Sequence, residues 1–217
     1  MDFVFDEKQS TPLCLIMNKN KSDKSLHYNK GWHNYTTFYY SIFKDLCNEK
    51  LRIFELGLGT NNVNIPSNMG KGGRPGASLY GWSEFFPNSD IFGADIDSGI
   101  LFNTDKIKTF YCDQRNPDII KNMWNEPNLQ DNFNIIIEDG LHSFDACVSF
   151  FENSIHKLKP NGYYIIEDVK NTYENLFINK IKEWETQYKD CIFKYLKIPS
   201  IRNKKDNALI VVFKKAL

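Results

Sequence analysis

Five short apolar runs, each with an acidic residue at or just beyond its end, limit what this chain can fold into more than any other feature. They are Leu51 to Leu56, Asp90 to Asp95, Lys108 to Tyr111, Phe133 to Ile137 and Tyr163 to Ile166. Each is too short for a buried helix. Phe133-Asn134-Ile135-Ile136-Ile137 shows almost no polar alternation, the mark of a strand in a sheet covered on both faces. Between the runs lie segments of helical period. Phe38, Tyr39, Ile42, Phe43 and Leu46 share one face, and a helix is expected from about Ala77 to Phe86. Phe144, Val148, Phe151, Ile155 and Leu158 form another stripe, with Lys159-Pro160-Asn161-Gly162 as its expected stop. Tyr173, Phe177, Ile181, Trp184 and Tyr188 form the last. Cys191 to Leu196 and Ala208 to Phe213 read as two strands joined without a helix. Alternating strands and helices imply a Rossmann-like, doubly wound α/β sheet with right-handed crossovers, and the final pair an antiparallel C-terminal hairpin at one edge.

A chain of 217 residues with 41% hydrophobic and 25% charged content can build one large core, which excludes a disordered or fibrous class. The reading divides it into a helical lead and lid, 1–50, and a catalytic domain, 51–217. Lys and Arg balance Asp and Glu at 27 each, so no global field favours nucleic acid or an anionic membrane. No apolar stretch approaches the roughly twenty residues of a membrane helix. Met1-Asp2-Phe3-Val4-Phe5-Asp6-Glu7 has acids where an export signal needs bases, and the five cysteines lack metal or redox spacing. Together these predict a cytoplasmic protein with reduced thiols.

Ligands of open α/β sheets bind beyond the carboxyl ends of the strands. Gly57 and Gly59 end the first strand and would let a ligand approach the backbone. The third glycine of the dinucleotide pattern is missing, since Asn62 stands there, and such a turn serves equally as a plain tight turn. Asp95 is the candidate acceptor for a ribose diol, although it lies about forty residues beyond the glycines, where dinucleotide enzymes place their acid nearer twenty. Asp113 could meet an adenine amino group or simply form a turn. Asp139, His142, Glu167 and Asp168 close the fourth and fifth strands. Acids packed so densely repel one another unless a cation neutralises them, and hard oxygen ligands suit Mg2+ or Mn2+. Turn and capping roles for some of these acids stay open. A long loop without periodicity, 60–76, separates the first strand from its helix.

The order of elements resembles the class I S-adenosylmethionine-dependent methyltransferase fold, a seven-stranded sheet whose last strand is antiparallel. The matching segments are Ser22-Asp23-Lys24, His33-Asn34-Tyr35, Glu55-Leu56-Gly57, Ala77-Ser78-Leu79 with Trp82, Phe86-Pro87-Asn88, Gly93-Ala94-Asp95, Asp113-Gln114, Asp139-Gly140-Leu141-His142 and Glu167-Asp168. By them the chain resembles the macrocin and mycinamicin type of sugar O-methyltransferases and their cephalosporin hydroxylase-like relatives. The resemblance implies S-adenosylmethionine held by Glu55, Gly57, Gly59, Ser78, Asp95, Asp113 and Gln114, and Mg2+ or Mn2+ held by Asp139, Glu167 and Asp168. It implies His142 as general base. Lys24, His33 and Tyr35 are expected to fold over the cofactor or a saccharide-type acceptor, with helix capping as the alternative. Acceptor identity and oligomeric form, a homo-oligomer included, are left open.

An alcohol near pKa 16 facing a histidine near 6.5 would need roughly 13 kcal/mol for complete prior proton transfer. A metal on the acceptor hydroxyl lowers that cost. Competing readings are a metal-independent methyltransferase, a nicotinamide-dependent sugar oxidoreductase, a non-haem iron oxygenase and a non-catalytic binding module. The oxidoreductase leaves the acids after strands four and five without a purpose, and the oxygenase lacks a second placed histidine.

Overall fold

The computed structural model describes residues 3–200 and 202–216. The chain runs α1 (Pro12–Lys19), α2 (Tyr35–Phe43), β1 (Arg52–Leu56), α3 (Ala77–Phe85), β2 (Asp90–Asp95), β3 (Ile107–Tyr111), α4 (Pro117–Trp124), β4 (Phe133–Glu138), α5 (Phe144–Glu152), β5 (Leu158–Val169), α6 (Glu174–Gln187), β6 (Cys191–Lys197) and β7 (Ala208–Lys214). The strands form one sheet in the order β3-β2-β1-β4-β5-β7-β6. The pairs among β1 to β5 are parallel, while β7 runs antiparallel to both β5 and β6. Strand order reverses between β1 and β4, which opens a crevice at their carboxyl ends.

Alternation along each strand sorts side chains into two cores. Ile53, Ile135, Ile137, Ile165 and Val211 meet Leu13 and Met17 of α1, Phe38 and Phe43 of α2, and Leu79 and Trp82 of α3. Phe54, Ile136, Tyr164, Ile166 and Val212 meet Trp124 of α4, Phe150 and Phe151 of α5, and Phe177 and Trp184 of α6. Both faces are thus covered, which explains strands without polar alternation. The N-terminal helices lie in the wall over the sheet and share its core.

Two expectations need correction. The stripe from Phe144 is not one helix to Leu158: α5 stops at Glu152, where the Asn153 N–H turns back to the Phe151 and Ser149 carbonyls, and Leu158 already opens β5. Lys159-Pro160-Asn161-Gly162 is therefore an irregularity inside β5. Pairing with β4 slips between Phe133 and Ile135, Asn161 takes φ +61°, and Pro160 has no N–H for a ladder. Neither α1 nor α4 follows from a long apolar stripe; each begins with proline behind a capping side chain. Thr11 accepts from the Cys14 N–H, and Asn116 accepts from the Asp118 and Ile119 N–H groups. Among the described residues no helix is long and apolar enough to cross a membrane.

Candidate active site

A cavity of about 740 Å³ lies across the carboxyl ends of the strands. One half is bounded by the turn after β1, the ends of β2 and β3, and the loop 60–76. Asp139, His142 and Asp168 bound the other half, with Tyr28, Trp32 and His33 of the N-terminal lead beside them.

The first half is built by close backbone approach. Gly57 has φ +92°, and a Cβ there would stand 1.9 Å from the Asp139 carbonyl oxygen. Its N–H donates to the Ala94 carbonyl at 2.8 Å, and the Asp139 N–H donates to the Leu56 carbonyl at 2.8 Å. At Gly59, φ +77°, the Met69 side chain occupies the space a Cβ would need. Asp95 accepts from the Leu58 N–H at 2.7 Å and the Asp97 N–H at 2.8 Å. Burial raises its pKa. Each of its oxygens keeps a lone pair, so Asp95 holds the glycine turn and can still receive a ligand's hydroxyls.

Asp113 is gripped by Arg115 through Nε at 2.9 Å and Nη2 at 2.7 Å, which lowers its pKa. Gln114 bridges strand ends, donating to Glu138 at 3.0 Å and accepting from the Leu141 N–H at 2.7 Å. Both line the cavity, as does Ser78. The loop 60–76 has no regular structure but is pinned. Asn61 donates to the Gly70 and Gly73 carbonyls, the Gly76 N–H donates to Leu58, and Ser67 donates to the Leu141 carbonyl at 2.9 Å.

Glu55 lies elsewhere than expected of a cofactor ligand. It is fully buried behind the cavity wall, accepting from Ser78 and from the Trp82 indole N–H, each at 2.5 Å. The Lys24 ammonium stands 3.5 Å from it, 2.5 Å from Asp139 Oδ2 and 2.6 Å from Glu167 Oε2. Lysine 24 thus joins the ends of β1, β4 and β5. Burial alone would lower its pKa, but Asp139, Glu167 and Glu55 outweigh burial and raise it. Glu167 gives its other oxygen to the Tyr39 hydroxyl at 2.5 Å. Tyr35, one helical turn earlier, donates to Asp168 at 2.6 Å. From periodicity alone Tyr39 is expected only on the apolar face of its helix. Its signal was the i, i+4 pair with Tyr35, since a buried tyrosine hydroxyl needs a partner.

Asp139 turns its second oxygen to His142 Nε2 at 3.0 Å, and His142 Nδ1 stands 3.6 Å from Asp168 Oδ2. His33 Nδ1 is 3.5 Å from Asp168 Oδ1. Burial would depress the His142 pKa, but Asp168 and Asp139 outweigh it and push it up to about 10. Asp139 is held well below the usual range, because Lys24 and His142 overcome its burial. Asp168 is raised by burial despite His33 and His142. His142 and Asp168 both adopt left-handed backbone, φ +56° and +53°, a strain found where structure fixes a functional group.

Asp139, His142 and Asp168 each bring a ligand atom within 4.8 Å of the other two. These carboxylates and the imidazole present oxygen and nitrogen donors on the cavity wall. The donor set therefore suits a divalent cation facing the cavity.

No family model matches the chain. It is 29% identical over 142 residues to the 8-demethyl-8-(2-methoxy-alpha-L-rhamnosyl)-tetracenomycin-C 3'-O-methyltransferase of Streptomyces olivaceus, covering 65% of this chain and 34% of that one. It is 28% identical over 141 residues to the mycinamicin VI 2''-O-methyltransferase of Micromonospora griseorubida, covering 65% and 33%. The chain spans about a third of the length of these curated relatives. The solved structure of MycE methyltransferase from the mycinamycin biosynthetic pathway, in complex with Mg and SAH, superposes with TM-score 0.70 at 21% identity, over 95% of this chain and 55% of that one. The chain has the class I methyltransferase fold, and its relatives in sequence are sugar O-methyltransferases.

Proposed function

We propose that the protein is an S-adenosylmethionine-dependent O-methyltransferase that acts on a sugar hydroxyl with the help of Mg2+ or Mn2+. The observation that carries this reading is one cavity that joins the glycine turn and Asp95 to the Asp139, His142 and Asp168 cluster. The relatives named for sugar O-methylation, and a MycE structure holding Mg and SAH, support the same reading.

Gly57, Gly59, Asp95, Asp113 and Gln114 would hold the cofactor, which supplies a methyl group activated on sulfonium. Asp139 and Asp168 would hold the ion, which supplies Lewis acidity to the acceptor hydroxyl and draws carboxylate charge away from His142. Glu167, which the resemblance implies as a third ligand, is buried beside them with its oxygens on Lys24 and Tyr39. His142 Nε2–H donates to Asp139, which orients the ring and leaves Nδ1 to take the hydroxyl proton. At a pKa near 10 the imidazole would be a stronger base, cutting the transfer cost to about 8 kcal/mol, but only about one in a thousand would be neutral at pH 7. Partial neutralisation of the two aspartates resolves that conflict. Tyr28, Trp32 and His33 border the same half and would receive the acceptor. Five free cysteines suit a reducing, cytoplasmic setting.

Calorimetry with S-adenosylhomocysteine, followed by labelled methyl transfer to glycosides, tests the proposal. Expected are S-adenosylhomocysteine binding, none of NAD, and transfer that stops with EDTA and returns with Mg2+. Failure to bind S-adenosylhomocysteine would overturn the reading, and undiminished transfer in EDTA would remove the metal from it.

A further inference from the structure

Trp32 borders the acceptor half of the cavity on a turn that is strained and braced from outside. Asn29, Lys30 and Gly31 before it are all left-handed, with φ +47°, +58° and +70°. Three such residues in succession persist only where neighbours fix them. The segment between β6 and β7 does so: the Ser200 hydroxyl donates to the Trp32 carbonyl at 2.7 Å and lies 3.2 Å from that of Gly31. The same segment reaches the Asp168 end of the site, since the Tyr35 hydroxyl that meets Asp168 lies 3.0 Å from the Asp206 carbonyl. Held in this way, the Trp32 side chain lines the cavity while 39% exposed.

Charge on this wall is one-sided. Lys30, Arg202, Lys204 and Lys205 are exposed, and among the described residues none of them is paired with a carboxylate. Asp206, the acid of the segment, is turned onto the buried Asn203. Asp139 and Asp168 face Lys24 and His142, and Asp23 adds its charge to the same Lys24. Arg202 is the best placed of the four cations. Its guanidinium carbon is 5.9 Å from the centre of the Trp32 ring, and Nη1 reaches the Asn29 carbonyl at 3.4 Å. Most of its five N–H donors stay unused beside Asn29 and Trp32, two residues that line the cavity.

We propose that this wall is an acceptor subsite for a sugar that carries a phosphate ester: the sugar ring lies on the Trp32 indole, and the phosphate, bare or joined to a nucleoside, takes paired hydrogen bonds from Arg202. The inference rests on the sugar methyltransferase reading above and adds the acceptor's charge to it.

Tryptophan fluorescence reads the subsite without turnover, because Trp82, Trp124 and Trp184 are at most 2% exposed and acrylamide quenches chiefly Trp32. The full chain in Mg2+ is titrated with methyl α-glucoside, glucose 1-phosphate and UDP-glucose, with and without S-adenosylhomocysteine. At least one phosphate-bearing probe is expected to shield Trp32 at a concentration roughly tenfold lower than methyl glucoside does, an advantage that shrinks as salt is raised. Arg202→Ala should lose that advantage while its response to methyl glucoside stays within about twofold of the unsubstituted chain. Shielding by glucose 1-phosphate marks a simple sugar phosphate as sufficient, and shielding by UDP-glucose alone marks a nucleotide-linked sugar. Equal response to all three probes, shielding by none, or a phosphate advantage that survives in Arg202→Ala would overturn the proposal. So would an Arg202→Ala chain that weakens for all three alike, since Arg202 would then only brace Trp32. Failure to bind S-adenosylhomocysteine would refute the methyltransferase reading, while the probes still decide the subsite.

Discussion

Gly57→Ala is a sharp perturbation of this site, because it acts where the turn after β1 lies against the backbone that follows β4. The added methyl would lie 1.9 Å from the Asp139 carbonyl oxygen, against a limit near 3.0 Å for real contacts. The strand ends would have to part by about 1 Å. A φ of +92° costs an alanine about 1–2 kcal/mol, and loosening the Gly57–Ala94 and Asp139–Leu56 hydrogen bonds adds about 1 kcal/mol more. A total near 3 kcal/mol lowers the Tm of a domain this size by about 6–12 °C. A displacement of about 1 Å between the cofactor turn and Asp139 should cost methyl transfer about a hundredfold. Gly70→Ala is the control: its φ is +67°, but nothing lies within 4 Å of the added methyl. Calorimetry with S-adenosylhomocysteine, melting curves and turnover are to be measured for both. A Gly57→Ala protein that binds and turns over like Gly70→Ala would refute the reasoning.

Further expectations concern the thiols. In the folded chain a thiol reagent should modify Cys47 readily, while Cys14, Cys112, Cys147 and Cys191 react only after unfolding; rapid labelling of a second cysteine would contradict the packing described. Burial pushes the Cys112 thiol up to about 12 from an ordinary value of 9.0. The folded state therefore keeps a proton that the unfolded chain releases, so this stabilisation is full below pH 9 and lost as pH climbs through 12. Cys112→Ala should give a shallower fall of Tm across that window, and an unchanged slope would count against it.

Much of the fold could be read directly from periodicity. Asp95, Asp113, Asp139 and Glu167 mark strand ends because a parallel sheet buried on both faces needs apolar strands and turns polar only where it ends. What escaped was set by distant partners or by caps. Leu158 fits the spacing of α5, but strand pairing with Phe133 claims it for β5. Thr11-Pro12 and Asn116-Pro117 announced α1 and α4 through capping rather than through a long apolar stripe. At the site, the density of acids pointed to a bound cation, but sequence could not show that the Lys24 ammonium, 115 residues from Asp139, stands among them. Nor could it show that consecutive acids part ways, Glu167 inward to Lys24 and Tyr39, Asp168 toward His142.

The account turns on His142 accepting the acceptor's proton beside a bound methyl donor. Turnover of His142→Ala with a labelled donor and a glycoside, measured together with its affinity for S-adenosylhomocysteine, tests this most directly. The expected result is loss of methyl transfer with donor-site affinity within about threefold of the unsubstituted chain. Full turnover in that variant would contradict the account.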